Sequence, residues 1–428
     1  MSTPKQEPVS LWKMRTYRLW FTADTSDVMA VSLRTFAVPL IAFALTGSES
    51  TAGVVVAIES TLVLVALPAG GTLIDRYDRR KLMILLGLAG ALLSLIAVGL
   101  MQAHQLTIGL LAAVVVAFGL LKGLIGGSND AILKSLIPTS QFAKAQAVRE
   151  GREACISLCG SAIGSVLYKL ASSVPFLASG LLYLLEAGSA FLLPGSPNRQ
   201  LASKGEKPPE HTSAAPSAFR AFARELGEGV RWALTKRRFV LITVIGALLN
   251  IAFALVETGT QLTLIGRKTD PLLIGLLDTG MGATALLGSL LAGWLLTHIP
   301  TGRLLAYTSF AVCASYLPLL ALSSYWAMLI CLSLTGLLLP GLNAGLCGFI
   351  FGKTPDSMQG RANAVFETAL GLPAAITPAL TGFALQLPHG FTLVVALAVA
   401  LTIAATALSA LTSVRTIPKP QSWEEASL

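Results

Sequence analysis

Long apolar runs, separated by short polar segments, organise this chain over nearly its whole length. Twelve can be laid out, at residues 19–45, 51–74, 82–102, 107–136, 144–170, 175–194, 238–265, 271–297, 303–323, 327–352, 361–386 and 390–412. A helix needs about 20 residues to cross a bilayer, and each run supplies roughly that many. The runs are rich in Leu, Ala and Gly and show no period-two alternation, so they predict helices rather than barrel strands. Composition agrees, at 54% hydrophobic and only 12% charged over 428 residues. A soluble domain carries about 25% charged residues, because it must cover its core with polar surface. The expected fold class is an all-α membrane protein of twelve transmembrane helices.

Charge then orients the helices. Lys5, Lys13, Arg15 and Arg18 precede the first run, which is itself interrupted by Asp24, Asp27 and Arg34. That is unlike the short clean apolar core of a cleavable signal. Of the 31 Lys and Arg, 26 fall on the N-terminal side of this topology. Only Lys169, Arg267 and Lys268 fall on the other side, and Arg34 and Lys122 lie within spans. Such an excess marks the cytoplasmic side. Both termini are therefore expected in the cytoplasm of a multi-pass protein of the inner (plasma) membrane, which requires an even number of spans. The net charge of +9 sits in these loops, so no nucleic-acid partner is expected. The five cysteines form no CxxC and read as small buried hydrophobes.

The chain divides into two halves. Residues 1–194 hold six spans, 195–237 form a linker, 238–412 hold six more, and 413–428 are a cytoplasmic tail. Pro197, Pro208, Pro209 and Pro216 mark the first part of the linker as flexible. Between Ala218 and Arg238, Phe219, Phe222, Leu226, Val230 and Ala233 recur at helical spacing, with charges between them. This predicts an amphipathic helix on the membrane surface, or a solvated linker helix. The halves are related: residues 138–150 (PTSQFAKAQAVRE) align without a gap to 355–367 (PDSMQGRANAVFE), with six of thirteen positions identical at an offset of 217. The same offset pairs Gly119 with Gly336, and an offset of 222 pairs Gly53 with Gly275 and Gly71 with Gly293. These matches predict two pseudo-symmetric six-helix bundles.

Between the second and third runs, residues 71–81 read GTLIDRYDRRK. This resembles the signature loop of the major facilitator superfamily, GxxxDRxGR(R/K), with Asp78 in place of the second glycine. The superfamily is built from such parallel repeats. The Asp78 form, the opening Arg18, Leu19 and Trp20, and LTGS at 45–48 are similar to the branch that includes the enterobactin exporter and macrolide efflux proteins. The resemblance implies a cytoplasmic gate made of Gly71, Asp75, Arg76, Arg79 and Arg80, facing the start of the eleventh span near Arg361. Asp75 ends a helix, where the dipole disfavours an anion, so Arg76, Arg79 and the N-terminus of span eleven would compensate it. A plainer reading is that the basic residues only fix topology. Gly160 and Gly164 keep small residues in span five, without the proline of the superfamily's drug antiporters.

Ionisable residues at membrane depth are costly and usually mark a pathway. Here they are Asp24, Asp27, Arg34, Glu59, Lys122, Glu186, Glu257 and Asp278. Asp27 and Arg34 stand seven apart, on one helix face. Spans one, four and seven line the cavity in the superfamily, so the resemblance makes Asp27, Arg34, Lys122 and Glu257 the leading cavity residues. Asp24 sits near the surface, Glu59 and Asp278 near the outward gate, and Glu186 in a peripheral span with a structural role open. Arg149, Glu150, Arg152 and Glu153 read as structural pairs at a helix end. Proton coupling would fall to a buried carboxylate such as Asp27 or Glu257.

No HExxH or GxSxG occurs, and Gly352, Lys353 and Thr354 follow Cys347 where a P-loop needs glycine. The chain is therefore expected to be no enzyme and to use no cofactor. The expected function is a secondary active transporter, coupling proton movement to efflux of a small amphipathic drug, macrolide or siderophore-like molecule by alternating access. An importer or lysolipid flippase of the same fold, and a non-transporting receptor, stay open. Expected partners are the small-molecule substrate, protons and the lipid bilayer, with the protein a monomer.

Overall fold

The computed structural model describes residues 10–194, 224, 227–355 and 358–425. Among these, twelve long helices follow one another. In the first half they are α1 (Arg15–Thr46), α2 (Glu49–Arg76), α3 (Arg79–Gln102), α4 (Ile108–Ile125), α5 (Thr139–Leu170) and α6 (Val174–Phe191). In the second they are α7 (Arg237–Gly266), α8 (Pro271–His298), α9 (Thr301–Tyr316), α10 (Tyr325–Lys353), α11 (Gln359–Leu385) and α12 (Gly390–Ser409). A short helix, Ser128–Leu136, continues α4 after a break at Gly126 and Gly127. Eleven helical segments are long and apolar enough to cross a membrane; α5, with five charges in its first half, is the exception.

Local sequence explains where the helices begin and end. Gly47, in the left-handed region at φ 65°, closes α1, and Ser48 caps α2 by accepting from the Thr51 N–H. Thr107, Asp270 and Ser324 cap α4, α8 and α10 in the same way. Asp78, the departure from the signature loop, is the N-cap of α3 and accepts from the Arg80 N–H at 2.9 Å. Large apolar side chains such as Leu92, Leu181, Leu290 and Ile330 point outward. In water, so much exposed apolar surface would be strongly unfavourable; in lipid it is the required surface.

The helices form two six-helix bundles. In the first, α2 lies on α4 and α3 on α6; in the second, α8 lies on α10 and α9 on α12. The repeat is visible in the packing. A Cβ on Gly119 would meet Glu59 and Leu62, and one on Gly336 would meet Met281 and Thr284. Gly336 follows Gly119 by 217 residues, and Met281 and Thr284 follow Glu59 and Leu62 by 222, the two offsets read from sequence. Gly160 and Gly164 admit Ser32 and Phe36 of α1, as small residues there should.

The bundles touch through α2 against α11 and α5 against α8. We call the ends carrying Arg15, Arg79, Arg237 and Arg361 the basic face. Contact is concentrated at the opposite face. A Cβ on Gly53 would lie 2.2 Å from the Pro378 carbonyl, and one on Gly382 would lie 2.7 Å from the Glu49 carbonyl. Gly275 sits as tightly against Ser161. Lys169 and Asp270 pair across the halves at 2.7 Å, and Gln386 donates to Ser48 and Ser50. At the basic face, by contrast, Cβ atoms on Gly71 and Gly293 would meet nothing within 4 Å. Among the described residues, the bundles thus meet closely at the opposite face and not around Gly71 and Gly293 at the basic one.

Two expectations need correction or limits. Cys155 and Cys159 are exposed rather than buried, because they share the outward stripe of α5 with Ile163, Val166 and Leu170. Most of the expected amphipathic linker helix lies outside the described residues. Its described end, helical over 227–234, seats Gly229 on Arg361 and Val365 of α11 and places Glu228 3.2 Å from Arg361.

Candidate functional site

A cavity of about 550 Å³ lies between the bundles. Its wall is mostly aliphatic, including Val31, Val38, Val56, Val63, Leu64 and Ala374, with Phe253 beside them. The charged groups are Arg34, Glu59 and Lys122 from the first bundle and Glu257 from the second, with Thr35, Ser60 and Asn250 as the neutral polar ones. An aliphatic wall with sparse, placed polar groups is the usual make-up of a small-molecule site.

Three of these charges are fixed within the first bundle. Arg34 of α1 donates twice to Glu59 of α2, at 2.8 and 2.5 Å, in a bidentate fork, and its guanidinium lies 4.0 Å from the Phe118 ring centre. Lys122 of α4 pairs with Asp27 of α1. A glycine at 126 is what permits this, since a Cβ there would meet the Lys122 side chain at 2.7 Å. Asn129 then donates to Asp27 at 3.2 Å and to Glu186 of α6 at 3.3 Å, and its own carbonyl accepts from the Trp20 indole. One turn from Asp27, Asp24 accepts from Arg152 of α5 at 2.5 Å, and Arg152 also reaches Glu153 at 3.2 Å. Pairing of this kind is what lets charges persist at membrane depth.

The second bundle differs. Glu257 of α7 faces the cavity and, among the described residues, makes neither an ion pair nor a hydrogen bond. Its charged neighbour is another carboxylate, Asp278 of α8, which itself accepts from Ser161 of α5.

The sequence-derived candidates thus separate. Arg34, Glu59, Lys122 and Glu257 line the cavity. Glu59 stands on the cavity wall, held there by Arg34. Asp27 is buried behind Lys122, and Asp24 is buried against Arg152 rather than solvated. Asp278 stands at the α5–α8 contact, outside the cavity wall. Asn129, which bridges Asp27 and Glu186, was missed; its signal was a polar triplet, residues 128–130, closing an apolar run.

In the gate loop, Arg79 donates to the Ala131 carbonyl at 2.8 Å, and Arg80 donates to the Ala190 and Phe191 carbonyls. Both arginines tie the loop to helix ends of their own bundle. The side chain of Asp75 lies outside the described residues, and Gly71 faces open space in this state. Close approach is made one residue earlier, at Gly70, whose Cβ would lie 2.3 Å from the Gly123 carbonyl of α4.

A duplicated twelve-helix bundle with a charged central cavity calls for comparison with known transporters. The family model described as Major Facilitator Superfamily matches residues 25–269 and 259–427. The chain belongs to the major facilitator superfamily. Solved structures share the fold at low identity. The D-xylose–proton symporter aligns at TM-score 0.69 with 13% identity, over 96% of this chain and 99% of that one. A bacterial homologue of the iron transporter ferroportin, in an inward-facing state, aligns at 0.64 with 15% identity, over 92% and 98%. A bacterial homologue of the human lysosomal transporter Spinster, inward-facing and unoccupied, aligns at 0.65 with 12% identity, over 94% and 97%. No curated protein sequence matches the chain. As a major facilitator protein it is a multi-pass membrane transporter and not an enzyme.

Proposed function

We propose that the protein is a proton-coupled exporter of a small amphipathic molecule, with its basic face in the cytoplasm of the inner membrane. Glu257 is the coupling residue. The observation that carries this reading is the contrast in charge balance. Asp24, Asp27 and Glu59 each hold a cation of the same bundle, whereas Glu257 faces the cavity with none. A carboxylate locked to Arg or Lys has little reason to take up a proton. One that faces the cavity, with another carboxylate as its charged neighbour, can be neutralised by a proton or by a cationic substrate, one at a time. That competition couples the two fluxes. Access from the basic face, with the opposite face closed, gives one of the two states that alternating access requires. The aliphatic wall and few charges suit an amphipathic molecule, and the resemblance of the gate loop to efflux proteins favours export.

The test uses purified protein in liposomes with an imposed pH gradient, screened with lipophilic cations, macrolides and siderophores. Glu257→Gln should abolish gradient-driven accumulation while leaving gradient-independent exchange. Full gradient-driven transport by this variant would reject Glu257 as the coupling group. Transport only in the inward direction would reject export, and no movement of any solute would favour a receptor.

A further inference from the structure

We propose that the basic-face end of the second bundle carries a phosphate-binding site for the headgroup of an anionic phospholipid, built by Arg303 and Arg415. A cavity of about 470 Å³ opens there, away from the central one, lined by both arginines with Thr412, Thr416, Pro300 and Pro418. It lies just beyond the ends of two membrane spans, Thr301–Leu320 and Gly390–Ser409, which is the level of the lipid headgroups.

The site is assembled rather than accidental. After α12 the chain turns through Thr412–Arg415 and docks on the start of α9. The Thr301 and Gly302 N–H groups donate to the Pro418 and Ile417 carbonyls at 3.3 and 3.2 Å. Gly302 has no room for a side chain, since a Cβ would lie 2.0 Å from the Val414 carbonyl and 2.9 Å from the Arg415 carbonyl. This close approach sets Arg415 beside Arg303. A third cation, Arg238 of α7, holds the turn by donating to the Ser413 carbonyl at 2.9 Å and to Thr416 at 3.4 Å. Trp423 straps the segment by donating to Thr301 and to the Pro418 carbonyl.

Three guanidinium groups are thereby held around one turn. Arg303 and Arg415 are exposed and, among the described residues, make no ion pair. The first N–H groups of α9 are spent on Ile417 and Pro418, so the attraction for an anion comes from side chains. Arginine forks match phosphate oxygens two at a time. The lipid source of the phosphate follows from the helix face below. Tyr307 and Phe310 stand four and seven residues after Arg303, so they share its face, and they are 60% and 65% exposed. An acyl chain descending from the headgroup would run along these rings. A soluble phosphate would make no use of them.

The experiment measures lipid binding to the full chain in detergent, by native mass spectrometry, with phosphatidylglycerol or cardiolipin against phosphatidylcholine. Near an anionic headgroup each Arg contributes about five-fold in affinity, so Arg303→Gln with Arg415→Gln should lower anionic-lipid binding about 25-fold. Phosphatidylcholine binding should not change, and Lys81→Gln, which removes an exposed basic-face charge elsewhere, should have no effect. Arg303→Lys with Arg415→Lys, which keeps charge but not the fork, should retain an intermediate affinity and guards against misfolding of the neutral pair. The proposal fails if the double Gln variant, eluting as folded protein, binds anionic lipid like the parent. It also fails if Lys81→Gln is equally damaging, which would mean diffuse attraction, or if inorganic phosphate displaces the lipid at equal concentration, which would mean a soluble anion site.

Discussion

Gly53 should control which face of the transporter is open. Its Cβ, if present, would lie 2.2 Å from the Pro378 carbonyl of α11, well inside the 3.0 Å that real Cβ contacts respect. The obstacle is backbone, so no side chain can rotate away; α2 and α11 must separate by about an ångström. Overpacking of a fitted contact costs about 1–3 kcal/mol. That penalty falls only on the state in which these helices touch, the one closed at the opposite face. Gly53→Ala should therefore shift the two-state equilibrium by about 5- to 150-fold toward the alternative state. The assay is spin-label distance measurement, with exposed Cys155 and Cys159 first changed to Ser. Labels at Thr46 and Leu387 report the opposite face, and labels at Lys81 and His298 report the basic face. Gly53→Ala should lengthen the first distance and shorten the second. Gly71→Ala, which meets nothing within 4 Å in the present state, should do the reverse if α2 and α11 close on Gly71 in the other state. Asp75→Asn should act in the same sense as Gly71→Ala if Asp75 then faces the start of α11. A folded Gly53→Ala protein with both distributions unchanged would refute the reasoning, since it would mean the contact exists in both states or yields freely.

Two other outcomes follow from the ion pairs. Lys122→Met leaves buried Asp27 with only the Asn129 amide. Breaking a buried pair costs about 3–5 kcal/mol, and because Lys122 is 30% exposed to the cavity the lower end, about 3 kcal/mol, is expected. Adding Asp27→Asn should restore most of the lost thermal stability in detergent; a double variant no more stable than Lys122→Met would show that the pair is not the cause. At the opposite face, the Lys169 ammonium, and then the Leu272 N–H, hold the Asp270 carboxyl below the usual aspartate range. A lowered value means that the clasp is complete in and above the ordinary carboxylate range and is lost as pH falls through the depressed one. Acidifying that side should lengthen the Thr46–Leu387 distance, and Asp270→Asn, which keeps the cap on α8, should make the distance insensitive to pH.

How much of this was legible in the sequence depends on the range of the interaction. Span number, duplication and the polarity of the two faces are written in runs and offsets, and local caps such as Asp270 follow from residue type. Partners across helices are not written there. The spacing of Asp27 and Arg34 fixes their common face, yet each turns to a different neighbour, Lys122 and Glu59, because α4 and α2 flank α1 on two sides. The loop at residues 71–81 was legible as a motif, but the close approach expected at Gly71 is made at Gly70, because only Gly70 points at the α4 backbone.

The duplication also explains why the unpaired carboxylate sits where it does. In the first bundle the α2–α4 contact carries Glu59 and, three residues after Gly119, Lys122. At the matching offsets the second bundle has Met281 and Leu339 on α8 and α10. The positions that supply charge in one copy are apolar in the other. A carboxylate placed on α7 of the second copy therefore finds no cation at the position corresponding to Lys122. Glu257 is such a carboxylate. The first bundle keeps a charged network fixed by its own ion pairs, and the second keeps one acid exposed to whatever enters the cavity. If that asymmetry is what couples transport, giving Glu257 a permanent partner should remove the coupling as surely as removing its charge. Asp278→Lys, at the charged neighbour of Glu257, is the substitution that separates this account from one in which Glu257 merely hydrates the cavity. It should leave Glu257 in place yet abolish gradient-driven transport, whereas a hydrating role would survive it.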